Sequence, residues 1–236
     1  MQVLILCGGS GTRAYPFTAY LPKPMLPING SPMLLHLMRL FANQGHQDFV
    51  LSLGYQKRVI EDYFEGKSLG WNVRLIDTGP ETDTAGRIVG CQKSLDETFL
   101  VAYADGLADV SFDELIAFHH SHDGLATITG VPLPCQYGTI ETDTSHRVRL
   151  FREKPIIPQH LINAGFFVFD KKVFDHWHGA NLELEVLPAL AKEGLVYCYR
   201  HEGFFKSLDS YKDQQELERM ANAGALPRQI AAQPKR

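Results

Sequence analysis

The first 47 residues of this 236-residue chain contain no aspartate or glutamate, although Arg13, Lys23 and Arg39 fall within them. This opening contributes +3 to a formal net charge of −4, so the remainder carries −7. Positive charge is therefore focused rather than spread, which argues against nucleic acid or an anionic membrane as partner. Long apolar runs are missing as well, none approaching the ~18 residues that a membrane-spanning helix needs. Met1 leads straight into a strand-like run instead of a basic leader, so a cytoplasmic protein is expected. Cysteine is scarce: Cys7, Cys91, Cys135 and Cys198 stand far apart with no C-x-x-C pair. Reduced, buried thiols fit that spacing better than a disulfide framework or a metal knuckle. No internal repeat or low-complexity linker marks a boundary. Residues 1–222 are read as one domain with halves 1–130 and 131–222, and 223–236 as a C-terminal tail expected to fray after Gly224.

What the opening does contain is an apolar run, residues 1–7, followed by Gly8-Gly9-Ser10-Gly11-Thr12-Arg13. The run reads as a central strand buried on both faces of an α/β sheet, which puts the glycines at its ligand-binding edge. Glycines there let several backbone N–H groups approach phosphate oxygens, although a Gly-Gly pair after a strand is also an ordinary turn. A dinucleotide fingerprint would need a helix at once and an acid about 20 residues on. Pro16, Pro22, Pro24 and Pro27 obstruct that helix, and the first acid is Asp48. Gly66-Lys67-Ser68 fails as a phosphate-binding P-loop because Glu61 stands where its first glycine should be, and Thr12 rules out a nucleophile elbow. A polyanionic guest, a nucleotide, is expected.

Strand-like and helix-like patterns then alternate, as in βαβ construction. Helices are expected at 32–43, 58–64, 86–95 and 112–122, and strands at 49–53, 73–76 and 99–103. The second half turns β-rich, with strands at 126–131, 138–141, 148–151, 164–169 and 196–199. Helices are expected near 172–177, 184–192 and 209–221.

A longer pattern is more specific than the glycines. Gly8 to Arg13, then Pro16, Leu21-Pro22-Lys23-Pro24-Met25-Leu26-Pro27-Ile28, Gly30 and Pro32 resemble the signature of the sugar-1-phosphate nucleotidyltransferases. Within that family the likeness is greatest to the glucose-1-phosphate cytidylyltransferases. It is carried by residues 73–79, by Thr84-Ala85-Gly86-Arg87, by residues 103–109, 162–169 and 203–210, and by the lack of glutamine between Trp71 and Gly90.

The resemblance implies a Rossmann-like three-layer α/β fold with a mixed, mainly parallel sheet and a β-rich sugar-binding extension. It makes 1–130 the nucleotide-binding half and 131–222 the sugar-phosphate-binding half. The implied substrates are a nucleoside triphosphate, CTP favoured, and a hexose 1-phosphate such as glucose 1-phosphate. By the same likeness Arg13 and Lys23 are catalytic cations. Leu6, Gly8, Gly9, Gly11, Thr12, Arg13, Lys23, Thr78, Gly86, Arg87 and Asp105 bind the nucleotide, with Arg87 facing it. Glu153, Lys154, Asn163, Gly165 and Glu185 take the sugar phosphate. Asp105 and Asp209 hold Mg2+, the implied cofactor, and Asp109 competes for that role. Ala104 and Ala164 each put a methyl where the family has glycine. Residues 65–69 are short where the cytidylyltransferases carry an insertion involved in assembly, which leaves the oligomeric state open, a homo-oligomer included.

His119, His120 and His122 near Asp123 are read as a solvated helix face, not a metal site, because no H-E-x-x-H or neighbouring cysteine accompanies them. The other readings are a sibling transferase using dTTP, UTP or GTP, an NAD-dependent oxidoreductase, and a non-catalytic nucleotide-binding protein.

Overall fold

Alternation along β1 (Val3–Leu6) sends Val3 and Ile5 into one hydrophobic cluster and Leu4 into a second on the other face of the sheet. The computed structural model describes residues 1–12, 17–227 and 230. After β1 come β2 (Pro27–Ile28), β3 (Ser31–Pro32), α1 (Met33–Ala42), β4 (Asp48–Leu53), α2 (Lys57–Phe64) and β5 (Asn72–Asp77). Next are α3 (Thr84–Cys91), β6 (Thr98–Tyr103), β7 (Gly106–Ala108), α4 (Phe112–His120), β8 (Ala126–Pro134), β9 (Thr139–Thr142) and β10 (Val148–Arg152). The chain continues through β11 (Ile156–Asp170), α5 (Leu187–Lys192), β12 (Val196–Arg200), β13 (Phe205–Ser207) and α6 (Tyr211–Asn222).

Seven strands form one sheet in the order β12-β8-β11-β6-β1-β4-β5. β1, β4, β5 and β6 run parallel, β12 is parallel to β8, and β11 is antiparallel to both its neighbours. Residues of α1, α2, α4 and α6 join Val3 and Ile5 in the first cluster, and those of α3 and α5 join Leu4 in the second. The architecture is the expected three-layer, mainly parallel one. Because β1 pairs with β4 and β6 in the same direction, with Leu6 opposite Ser52 and Tyr103, their three C-terminal loops open on one edge. That is the ligand edge of a parallel α/β sheet.

Residue 130, where the two halves meet, lies in β8, which pairs with β11 on one side and β12 on the other, so one sheet spans both halves. Several expectations need correcting. The strand expected at 164–169 is the end of the 15-residue β11, whose earlier part pairs with β8 through two register shifts. Residues Lys171–His176 form a 3-10 helix. The helix expected at 184–192 begins as a π turn, Leu182–Val186, before α5. Pro188 has no N–H to give the preceding turn, and a widened turn accommodates that loss. In the expected tail, Ile230 is fully buried in the first cluster. Among the thiols Cys7 and Cys91 are buried and free, but Cys198 is exposed.

The histidine cluster is not a solvated face. His119 is buried, its Nδ1 is 2.9 Å from Thr127 Oγ1, and His122 Nε2 lies 2.8 Å from the same hydroxyl. His122 also stacks on Tyr197 of β12, ring centres 3.9 Å apart. Among the described residues no group of three or more His, Cys, Asp or Glu side chains is placed to hold a metal, and no helix is long and apolar enough to cross a membrane.

Burial, then the neighbouring His122 and His120, pulls His119 down to about 4. A histidine held neutral in the fold takes up its proton more readily on unfolding, so its contribution is complete above the unfolded value near 6.5 and is lost as pH falls towards 4. Urea midpoints measured from about pH 7.5 down to about pH 4.5 should fall, and His119→Gln should flatten part of that decline.

Candidate active site

A cavity of about 370 Å³ opens at the C-terminal edge of β1. Leu6, Cys7 and the loop residues Gly9, Ser10, Gly11 and Thr12 form one side, and Lys23 and Pro24 another. Thr84 and Arg87 come from α3, Tyr103, Ala104 and Asp105 from the end of β6, and Glu183 from the π turn. Gly11 has φ +61°, and a Cβ there would stand 3.0 Å from Lys23 Cβ, so only glycine lets the loop pass this close to the lysine. Arg13, the expected partner of Lys23, lies outside the described residues.

Arg87 does something the sequence did not suggest. Its guanidinium is buried and donates to four carbonyl oxygens from three segments: Gly8 O at 2.9 Å, Leu53 O at 3.2 Å, Gly79 O at 3.0 Å and Pro80 O at 3.3 Å. Thr78 Oγ1 accepts from it at 2.9 Å, and itself donates to Leu53 O at 2.8 Å. Arg87 lines the cavity, but these donors face the backbone rather than a guest. Thr78, expected to contact the nucleotide, supports the arginine. Gly8 and Gly54 make room for it, since added Cβ atoms would lie 1.9 Å and 2.6 Å from Nη1. Burial lowers the Arg87 pKa from its ordinary value, with Cys7 and Asp83 acting in the opposite sense. Gly86, also expected at the nucleotide, packs instead near Thr82, 2.9 Å from where its Cβ would be.

Lys23 is held by a 3-10 turn, Lys23–Met25, stiffened by Pro22 and Pro24, and is 8% exposed. Its Nζ lies 2.5 Å from Asp105 Oδ2 and 3.0 Å from Asp209 Oδ1. The two short strands missing from the sequence reading bring these acids together. β13 pairs antiparallel with β7, Ser207 opposite Gly106, and Leu208 N donates to Asp105 O at 2.8 Å. Ser207 Oγ steadies Asp209 at 2.8 Å, and a capping box between Ser210 and Asp213 opens α6 directly behind it. Asp109, the competing acid, stands 2.9 Å from His201 Nε2 instead.

The residues expected to hold the sugar phosphate separate into three groups. Asn163 and Gly165 lie behind Tyr103: Gly165 N donates to Asn163 Oδ1 at 2.8 Å, and a Cβ on Gly165, whose φ is +77°, would be 2.7 Å from the Tyr103 ring. Glu153 and Lys154 sit on the exposed turn between β10 and β11, paired with each other at 3.8 Å and outside the cavity wall. Glu185 is also outside it, because its carboxylate accepts the backbone N–H groups of Ala180 at 2.7 Å and Asn181 at 2.8 Å. Glu183, two residues earlier, lines the cavity instead. Its alternation with Leu184 and Glu185 carried no signal that one acid would turn inward.

A parallel sheet whose open edge joins a glycine loop, a buried lysine and two convergent aspartates defines a protein that handles nucleoside phosphates. The chain belongs to the nucleotidyl transferase family, whose model matches residues 2–203. It is similar to a probable glucose-1-phosphate cytidylyltransferase of Bacillus subtilis, 37% identical over 95% of this chain and 97% of that one. It is also similar to the glucose-1-phosphate cytidylyltransferase of Salmonella typhi, 34% identical over 96% and 98%. Among solved structures, HddC from Yersinia pseudotuberculosis complexed with GMP-PN superposes with a TM-score of 0.73 at 26% identity, covering 93% of this chain and 99% of that one. Family membership makes the chain an enzyme and sets aside the oxidoreductase and the non-catalytic binder. The 3-10 turns Phe17–Ala19 and Lys23–Met25 that follow the glycine loop agree, since a dinucleotide site has a helix there.

Gly8→Ala should destabilise the protein by about 1–3 kcal/mol, because the new methyl displaces the Arg87 guanidinium. Gly9→Ala, with nothing within 4 Å of its Cβ, should stay within about 0.5 kcal/mol of wild type. Urea unfolding of the two variants side by side checks the contrast.

Proposed function

We propose that the enzyme transfers CMP from CTP to glucose 1-phosphate and releases pyrophosphate, with Mg2+ as cofactor. The observation that carries this reading is the meeting of Lys23, Asp105 and Asp209 beside the glycine loop. In the reaction a phosphate oxygen of the sugar 1-phosphate attacks the α-phosphorus of CTP. A new P–O bond forms as the bond to the pyrophosphate oxygen breaks. The attacking oxygen is already anionic near neutral pH, so no general base is needed, and the cavity offers none beyond acids engaged elsewhere.

The difficulty is electrostatic, since two unit charges about 4 Å apart repel by ~4 kcal/mol at an effective dielectric of 20. Lys23, as a point charge on a stiffened turn, is placed to offset that repulsion and align the two phosphates. The amides of residues 8–12 are the natural grip for the triphosphate. Arg87 keeps that loop in shape from below.

Asp105 and Asp209 converge on one ammonium, so a single cation can touch both carboxylates, and their hard oxygens suit Mg2+. When bound, the ion would offset phosphate charge and steady the leaving pyrophosphate. In its absence Lys23 pairs with both acids and offsets one of their two charges.

CTP and glucose 1-phosphate are favoured by the likeness to the two cytidylyltransferases. A guanylyl donor is the second reading, supported by the neighbour complexed with GMP-PN. A matrix of CTP, GTP, UTP and dTTP against several sugar 1-phosphates, read by pyrophosphate release, should give its highest kcat/KM with CTP and glucose 1-phosphate. Preference for another pair would move the assignment to a sibling. Asp105→Asn and Lys23→Met should each lower kcat by about 10²–10³. Asp105→Asn at wild-type activity would remove the mechanism.

A further inference from the structure

Glu183 is the cavity's unexplained anion. Its Oε1 accepts from the Tyr103 hydroxyl, and its Oε2 accepts from Thr84 Oγ1 at 2.8 Å. Among the described residues no lysine, arginine or histidine pairs with it, so both its partners are neutral hydroxyls.

The side chains holding it are themselves fixed. Thr84 Oγ1 accepts from Leu182 N at 2.9 Å, which ties α3 to the π turn. Asn181 caps that turn by accepting from Leu184 N at 2.8 Å. The Tyr103 ring packs edge-on against Phe167, centroids 5.4 Å apart, and against the Cβ-free Gly165. Burial, then the Glu183 carboxylate, pushes the Tyr103 pKa up and keeps its hydroxyl a donor.

A carboxylate on the wall of a cavity that receives phosphates suits neutral donors better than phosphate, because like charges repel. A carboxylate oxygen accepts about two hydrogen bonds, and each of these has received one from the protein. One position therefore remains on each oxygen, and the pair matches two adjacent hydroxyl groups.

We propose that Glu183 is a specificity-determining residue that accepts hydrogen bonds from vicinal hydroxyls of the substrate, with Tyr103 and Thr84 as its positioning residues. This rests on the transferase reading of the same cavity. The ribose of the nucleotide and the pyranose of the sugar phosphate both offer such a diol, and the chemistry is the same for either.

The test compares kcat/KM for CTP with that for 2′-deoxy- and 3′-deoxy-CTP, and for glucose 1-phosphate with that for its monodeoxy analogues. Wild type should discriminate against the deoxy compounds of one series by about 10²-fold or more, since a site that binds a hydroxyl rejects the analogue lacking it. Glu183→Ala should reduce that ratio to within about fivefold and leave the ratios of the other series unchanged, so the affected series identifies the diol. Tyr103→Phe keeps the ring packing and should shrink the same ratio partway. Circular dichroism and thermal melting confirm that both variants fold, and if Glu183→Ala does not, Tyr103→Phe decides alone. Ratios that survive the substitution in an active enzyme overturn the role of Glu183. A wild type that releases no pyrophosphate with any pair overturns the transferase reading instead.

Discussion

The ligand edge of the sheet depends on the buried guanidinium of Arg87. It projects from α3, yet its donors end on the loop after β1, the end of β4 and the turn after β5. A buried cation is costly unless its hydrogens are satisfied, and here neutral carbonyls and a threonine hydroxyl take the place of a carboxylate. That choice has two consequences. The glycine loop is clamped from beneath by a planar donor set that a lysine could not reproduce. The positive charge is solvated without being cancelled, so it adds to the potential beneath the loop that would receive phosphate.

Charge in the rest of the cavity is sorted by sign and by strand. Lys23 and its two aspartates form a cluster of formal charge −1 at the ends of β6 and β13. Glu183, held by hydroxyls, stands where the π turn meets α3. Cation-bound acids and the hydroxyl-bound glutamate therefore occupy different walls of one cavity. Glu183 stands apart from that cluster, where its oxygens accept from hydroxyls and not from Lys23. Short strands make this arrangement possible. The β7–β13 pairing is only three residues long on each side, yet it sets Asp105 and Asp209 around one ammonium.

Much of this was legible in the chain. The apolar run of β1, the glycines after it and the prolines around Lys23 are local features whose physics needs no partner, and they indicated a parallel sheet with an anion edge. Family likeness alone pairs Asp105 with Asp209, because nothing local to residue 105 points to residue 209, and the contact of both with Lys23 emerges only in the fold. Thr78, Gly86 and Arg87 were placed at the nucleotide, but sequence spacing does not reveal whether a guanidinium spends its donors on a ligand or on backbone. The acids of the π turn are undetermined in sequence for a related reason. Glu183 and Glu185 are equivalent in a repeating Leu-Glu pattern until the turn is widened and one of them is captured by the amides of Ala180 and Asn181.

By itself, then, the sequence determined the alternation of the main strands and helices and the acid-free anion loop, which follow from hydrophobic period, glycine and proline stereochemistry and net charge, all properties of neighbouring residues. The family was legible as well, through the resemblance of its motifs. Only the tertiary structure decided which cation clamps the loop, which acids share Lys23 and which glutamate faces the cavity. Each of those choices is a competition for hydrogen bonds among groups brought together in the fold, and for the buried Arg87 and Lys23 burial makes the outcome strict by penalising any group left without a partner.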